Sequence, residues 1–405
     1  MTMESDRANL SPEAQQWLAF TDRLAATGLM LHKLAEQSPD PDRGIQVNEF
    51  LLLMMSVGAK FWEQFDADYP DWLPLMNGSD RAINPNPDNV YYLSRIRGSG
   101  VYRISGHRGT VRQIELQVMH GYMGFRQNAW PTISSLSFDD CRIAEDGTFE
   151  IILSAARPEG YQGNWVQLDP AIDDTYALIR QVAWDWTEVD GRFAIQRIDR
   201  PIDHRMPRPD TEITSNLMNV ARFLEWTGVD MIEALKRHDV EATPVNQLAD
   251  TNVWRKAGAI ARQVYLHGDI RIADDEAMVI EITLDRKPGY WNVQLMDSFY
   301  NGLNSMYHQS CLNAHSAAFD SDGKLRLVIS AQDPGIANWI DKGHYPRVFG
   351  RFRFNGCGVP DVVSQVVPIL EVAKYLPADT ARVAPEERQK ALRARAESAQ
   401  QRRRW

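Results

Sequence analysis

The side chains best suited to moving protons crowd into one stretch of the second half of the chain. It begins at Gln294 and Asp297, passes Asn304, Tyr307, His308, Gln309, Ser310, Asn313 and His315, and closes on Asp333, Asn338, Trp339 and Asp341. Histidine exchanges protons near neutral pH, and a carboxylate partner turns it into an oriented general acid or base. The expected catalytic pair is His315 with Asp333 or Asp297, and His120 joins them because it aligns with Asp297 in the repeat described below. The expected substrate contacts are Asn86, Asp88, Tyr91, Gln294, Tyr307, Asn313, Asn338 and Trp339. The first three belong to NPNPDNVYY, where two prolines stiffen a polar, aromatic-flanked segment. A plainer reading stands beside each. Loop Asn, Asp and His often satisfy only backbone groups, and a histidine ending an apolar strand is commonly a satisfied core residue.

These residues sit on a repeated frame. VYRISGHRGTVRQIELQVMHGY, from Val101, overlays MVIEITLDRKPGYWNVQLMDSF, from Met278, so that Gln117 falls on Gln294, Met119 on Met296 and Tyr122 on Phe299. EDGTFEIILSAARP and SDGKLRLVISAQDP then overlay, and each copy reaches an Asn-Trp pair, Asn164-Trp165 and Asn338-Trp339. A register held this long reads as two related β units. The second copy carries the titratable groups: Asp333 corresponds to Arg157 of the first, and the stretch of the first copy matching His308 to His315 contains no histidine.

Alternation in Phe149, Ile151, Leu153 and in Leu325, Leu327, Ile329, each after an Asp-Gly turn, predicts strands. Ser11 and Pro12 open a predicted helix to about Gln37; a second, apolar all round and expected to be buried, covers about Val47 to Phe65. Between the copies TSNLMNVARFLEWTG predicts a helix ending at Gly228. Pro385 opens a charged helix toward Trp405. The expected fold is mixed and mainly β: two related antiparallel β-sandwich, jelly-roll-like units with N-terminal, inter-domain and C-terminal helices. The divisions are a helical region (1–76), a first sandwich (77–205), a helical insert (206–263), a second sandwich (264–360) and a C-terminal extension with a helix (361–405).

Composition narrows the function. A net charge of −10 argues against nucleic acid and anionic membrane surfaces as partners. Three scattered cysteines make neither a disulfide framework nor a zinc signature. No apolar run spans a bilayer and no signal core opens the chain, so a cytoplasmic location without membrane insertion is expected. Nucleotide loops, HExxH, CxxC and GxSxG are absent. A metal held by His308, His315 and an aspartate has only weak signal, and neither metal nor cofactor is expected. The 12 Trp, 13 Tyr and 14 Phe suit aromatic cores and also a pocket for an apolar ligand.

GYWNVQLMDSFYNGL (Gly289 to Leu303), SCLNAHSAAFDSDGKLRLVISAQDPGIANWID (Ser310 to Asp341) and FGRFRF (Phe349 to Phe354) resemble the bacterial family known as domain of unknown function 1214. NPDNVYY followed by VYRISGHRG, and the tail ending in Arg-Trp, look like its full-length members. The resemblance implies tandem β-sandwich domains and names no reaction. The functional expectation is an enzyme acting on a hydrophobic or aromatic small molecule, terpenoid or steroid-like, by cofactor-independent acid–base chemistry of the lyase, isomerase or hydrolase type. The alternatives are a carbohydrate- or lipid-binding module and an assembly protein; a homo-oligomer is left open.

Overall fold

The computed structural model describes residues 10–36, 43–63, 66–75, 81, 84–121, 132–202, 209–235, 237, 243–250 and 263–402. Tyr122, the divisions at 76–77 and 205–206 and the final Arg-Trp lie outside them. The first sandwich pairs two sheets of β1 to β9. One runs β1(Leu73–Leu75), β2(Asn89–Ile96), β8(Thr175–Val182), β4(Gln113–His120), β5(Thr132–Ser137); the other runs β7(Asn164–Gln167), β6(Thr148–Ser154), β3(Tyr102–His107), β9(Arg192–Arg197). The second sandwich repeats this order with β10(Gln263–Arg271), β16(Arg347–Asn355), β12(Tyr290–Met296), β13(Cys311–Asn313) against β15(Trp339–Asp341), β14(Leu325–Ser330), β11(Glu276–Thr283), β17(Asp361–Pro368). β17 carries this sandwich past residue 360. Pairing is antiparallel except for one parallel pair in each unit, β6 with β7 and β14 with β15.

Period-two alternation explains the packing, since successive strand residues point to opposite faces. Val90, Tyr92, Leu116, Val118, Ile151 and Ile179 fill the first sandwich. Leu266, Ile280, Trp291, Val293, Leu327 and Phe352 fill the second. Gly147 and Gly323 take φ of +84° and +79° in the two Asp-Gly turns, a conformation glycine adopts without a Cβ penalty. The Asn-Trp pairs do the same work in both units. Asn338 Nδ2 donates to the Ala318 and Arg326 carbonyls, and Trp339 Nε1 to Ser330 Oγ at 3.0 Å. Asn164 reaches the Arg142 and Glu150 carbonyls, and Trp165 reaches Ser154 Oγ at 3.0 Å.

The other faces of the β2-β8-β4 and β10-β16-β12 sheets turn toward each other and toward the helices. Tyr91, Leu93, Tyr176 and Leu178 from one, and Met296 and Phe349 from the other, share a third core with α1(Pro12–Glu36), α2(Arg43–Glu63) and α3(Asp210–Glu225). Ser11 caps α1 through the Ala14 amide. Two helical expectations are corrected. The inter-sandwich helix does not stop at Gly228: it continues through a π turn, Trp226–Met231, and an α turn, Ile232–Leu235. Gly228 serves close packing instead, because a Cβ there would lie 2.8 Å from Leu31 Cδ1 and 3.1 Å from the Phe50 ring. Nor is α2 buried all round, since Ile45 and Leu52 are exposed.

Candidate functional site

α4(Pro385–Gln401) lies along the edge of the second sandwich. Buried Arg388 fixes it there: Nε donates to Asp333 Oδ2 at 2.9 Å, Nη1 to Gln309 Oε1 at 2.8 Å and Nη2 to the Ile336 carbonyl. Its guanidinium covers the Trp339 ring at 5.3 Å. Between helix and sandwich runs a groove of about 620 Å³, lined among others by Tyr307, His308, Asp333, Trp339, Asp341 and Leu392.

Within this groove His308 Nδ1 lies 3.0 Å from Asp341 Oδ2. The other carboxylate oxygen of Asp341 accepts the Gly343 amide at 2.7 Å, so the carboxylate is held at both ends. A carboxylate at Nδ1 makes that nitrogen the donor and leaves Nε2 as the basic one, the arrangement of an oriented general base. The edge strand β15 supplies Asp341, and the turn before β13 supplies His308.

The expected catalytic residues are spread more widely. His315 is largely exposed and its Nε2 faces Asp185 Oδ2 at 3.7 Å, while Asp333 is engaged by Arg388 and the Gly335 amide. The expected pairing of His315 with Asp333 or Asp297 is therefore not formed. His120 closes β4, 3.7 Å from Asp174. Asp297 is buried in a tight turn, accepting the Phe299 and Asn301 amides at 2.8 and 2.9 Å and Asn301 Nδ2 at 2.9 Å. Of the expected substrate contacts, Tyr307 and Trp339 line the groove, whereas the amide of Asn338 is spent on backbone. His308 and Asp341 stand in the polar stretch, but their pairing across 33 residues has no spacing signature.

Asn86, Asp88 and Asn313 meet elsewhere, where the two sandwiches join. Asp88 is buried and accepts Tyr290 Oη at 2.7 Å, Asn313 Nδ2 at 2.8 Å and Trp186 Nε1 at 2.9 Å. Asn86 accepts Asn292 Nδ2 at 2.6 Å and donates to Tyr290. Tyr91 accepts Asn89 Nδ2, and Gln294 Oε1 accepts Arg353 at 3.0 Å.

Burial raises the Asp297 carboxyl to about 6, against the opposing hydrogen bonds from Asn301 and Phe299. The native state then holds this proton to a higher pH than the unfolded chain does. Its contribution to stability is complete below about pH 4 and is lost as pH rises through about 6. A shift of two units corresponds to roughly 2–3 kcal/mol. Asp297→Asn, which keeps an acceptor for the turn amides, is expected to remove this loss. Urea unfolding at about pH 4.5 and pH 7 measures it: the variant should lose about 2 kcal/mol less than the parent between the two, and equal losses would contradict the assignment.

The architecture defines a tandem β-sandwich protein. Residues 117–182, from β4 to the end of β8, match the family described as protein of unknown function (DUF1214), a match that supports membership of that family. The match lies in the first sandwich, while the residues that carried the resemblance lie in the corresponding strands of the second. A crystal structure of an uncharacterised protein from Burkholderia cenocepacia is similar at 27% identity and a TM-score of 0.80, covering 88% of this chain and 98% of its own. The VPA0106 protein from Vibrio parahaemolyticus is similar at 11% identity and a TM-score of 0.45, covering 76% of this chain and 96% of its own. No curated protein matches. Among the described residues no helix is long and apolar enough to cross a membrane.

Proposed function

We propose that the chain is an enzyme acting on a hydrophobic or aromatic small molecule, terpenoid or steroid-like in shape, by acid–base chemistry in the groove beside α4. The observation that carries this reading is the His308–Asp341 pair at 3.0 Å inside a ligand-sized groove. His308 Nε2 takes a proton from substrate or returns one, and Asp341 holds the ring and stabilises the imidazolium. Trp339, Tyr307 and Leu392 receive the apolar body. Elimination, hydration, isomerisation and hydrolysis all reduce to such transfers, and none of them calls for a cofactor. Three free cysteines, Cys141, Cys311 and Cys357, support a cytoplasmic setting.

The test is a thermal-shift screen of apolar organic ligands on the parent protein and on Leu392→Trp, which places an indole in the groove. A ligand at a hundredfold excess over its Kd adds about 2.7 kcal/mol, and Leu392→Trp is expected to abolish that shift. Equal stabilisation of both proteins would place the ligand elsewhere and end the groove reading. A response only to sugars or lipids would favour the binding-module alternative. One observation favours assembly: Leu29, Ile45 and Leu52 are 66%, 73% and 70% exposed on α1 and α2, a face suited to a second copy of the chain. A monomer in sedimentation equilibrium would end that reading.

A further inference from the structure

The faces that the two central sheets turn toward each other carry the same residues at equivalent places. Tyr91 stands opposite Arg180 in the β2–β8 ladder, and Tyr265 stands opposite Arg353 in the β10–β16 ladder. One strand further on, Gln117 of β4 answers to Gln294 of β12. The two sets share one space. Burial raises the Tyr265 hydroxyl, and the charges of Arg353, Arg180 and Arg351 all pull it back. Arg180 is only half-buried on a face whose neighbours are buried, so the seam retains accessible surface beside it.

Its charge is unbalanced. Arg353 is buried, and every group it donates to is neutral: Asn292 Oδ1, Gln294 Oε1, Asn84 Oδ1 and the Asn84 and Pro85 carbonyls. Among the described residues, the buried Nη1 of Arg180 has no partner. Two acids stand near. Glu115 is opposite Arg180 in the β4–β8 ladder but takes Gln113 Nε2 at 3.0 Å. Asp88 is engaged by Tyr290, Trp186 and Asn313. Among the described residues, no carboxylate bridges Arg180 or Arg353. Alongside them Gln294 Nε2 is a buried donor without an acceptor, and Gln117 Oε1 and Asn89 Oδ1 are buried acceptors without donors. Gln294 is 1% exposed. Burying guanidinium and amide N–H groups without acceptors is destabilising. An oxyanion supplies the acceptor that Arg180 Nη1 and Gln294 Nε2 lack, because a carboxylate or phosphate accepts several N–H bonds at once; the Gln117 and Asn89 oxygens need donors and are not served by it.

We propose that the seam between the sandwiches is a binding site for a small organic oxyanion, held between Arg180 and Arg353 with Gln294 Nε2 donating and the Tyr91 and Tyr265 hydroxyls at its edge. This site is separate from the groove beside α4.

The experiment compares the full chain with Arg180→Met and Gln294→Met, using inorganic phosphate, glycerol phosphate, succinate and benzoate as probes in calorimetric titration and thermal melts. Among the described residues Arg180 makes no hydrogen bond that its removal would break, so Arg180→Met is expected to fold and to melt above the unliganded parent. At least one probe is expected to bind the parent, to bind more weakly as sodium chloride rises, and to lose tenfold or more in affinity in Arg180→Met and several-fold in Gln294→Met. Preference for the two phosphates or the two carboxylates identifies the head group. An Arg180→Met melting point several degrees below the parent would show that the guanidinium is already satisfied and overturn the proposal. So would a Kd unchanged by both substitutions, or no binding of any probe to the parent.

Discussion

Replacing His308 with Ala is expected to lower kcat on the substrate the groove accepts by about 100- to 10,000-fold, the range that removal of a positioned acid–base group produces. The side chain is more than half exposed and, among the described residues, makes one side-chain bond, to Asp341, so its loss should leave the melting point within a few degrees. Asp341→Asn should cost nearly as much in kcat, because an amide at Nδ1 no longer enforces the tautomer that leaves Nε2 basic. The pH profile separates catalysis from architecture. A basic histidine gives kcat/KM an acidic limb, which should vanish in His308→Ala. A kcat within twofold of the parent for His308→Ala would remove this residue from the chemistry.

The second large effect concerns stability. Asp88→Ala is expected to destabilise the protein by about 2 kcal/mol or more, since it removes the shared acceptor of buried Tyr290 Oη and Asn313 Nδ2 and of half-buried Trp186 Nε1, and a buried donor left unmatched costs about 1–3 kcal/mol. Tyr290 and Asn313 come from the second sandwich and Trp186 from the first, so the loss falls on the junction between them. Tyr290→Phe, which removes one donor rather than the shared acceptor, should cost roughly 1 kcal/mol. Urea unfolding with separate probes in the two sandwiches reads the result: Asp88→Ala should split a single transition into two. A single transition at the parental midpoint would show that the network contributes little.

The sandwiches were legible because their signals are local. Alternation through Phe149, Ile151 and Leu153, and the Asp-Gly turn before it, depend on neighbours within a few residues. The site was harder to see because its pairs are made by ladder register and helix docking. Arg180 meets Tyr91 across a sheet, and nothing in the intervening 88 residues encodes that. His315 looked the better base because it sits among polar neighbours, yet His308 is the histidine whose turn faces Asp341. Asn338 looked like a substrate contact until its amide was found bonded to backbone, as in Asn164 of the first unit. Gly228 has the composition of a helix stop, but its missing side chain is required by Leu31 and Phe50.

α4 touches both sandwiches along its length. Arg388 is anchored in the second; Arg395 lies over Trp186 of the first at 4.2 Å and donates to the Ser305 carbonyl of the second. Arg402, just past its end, grips Asp190 and the Asp88 carbonyl of the first. The helix acts as a crossbar. Rotating one sandwich away from the other would require withdrawing a buried, two-pronged ion pair and breaking its companion bonds, so hinge opening is a poor doorway to the seam. Molecules entering there must pass between loops at its rim, and exchange should be governed by local loop opening, with slow arrival and slow departure, rather than by the two halves parting.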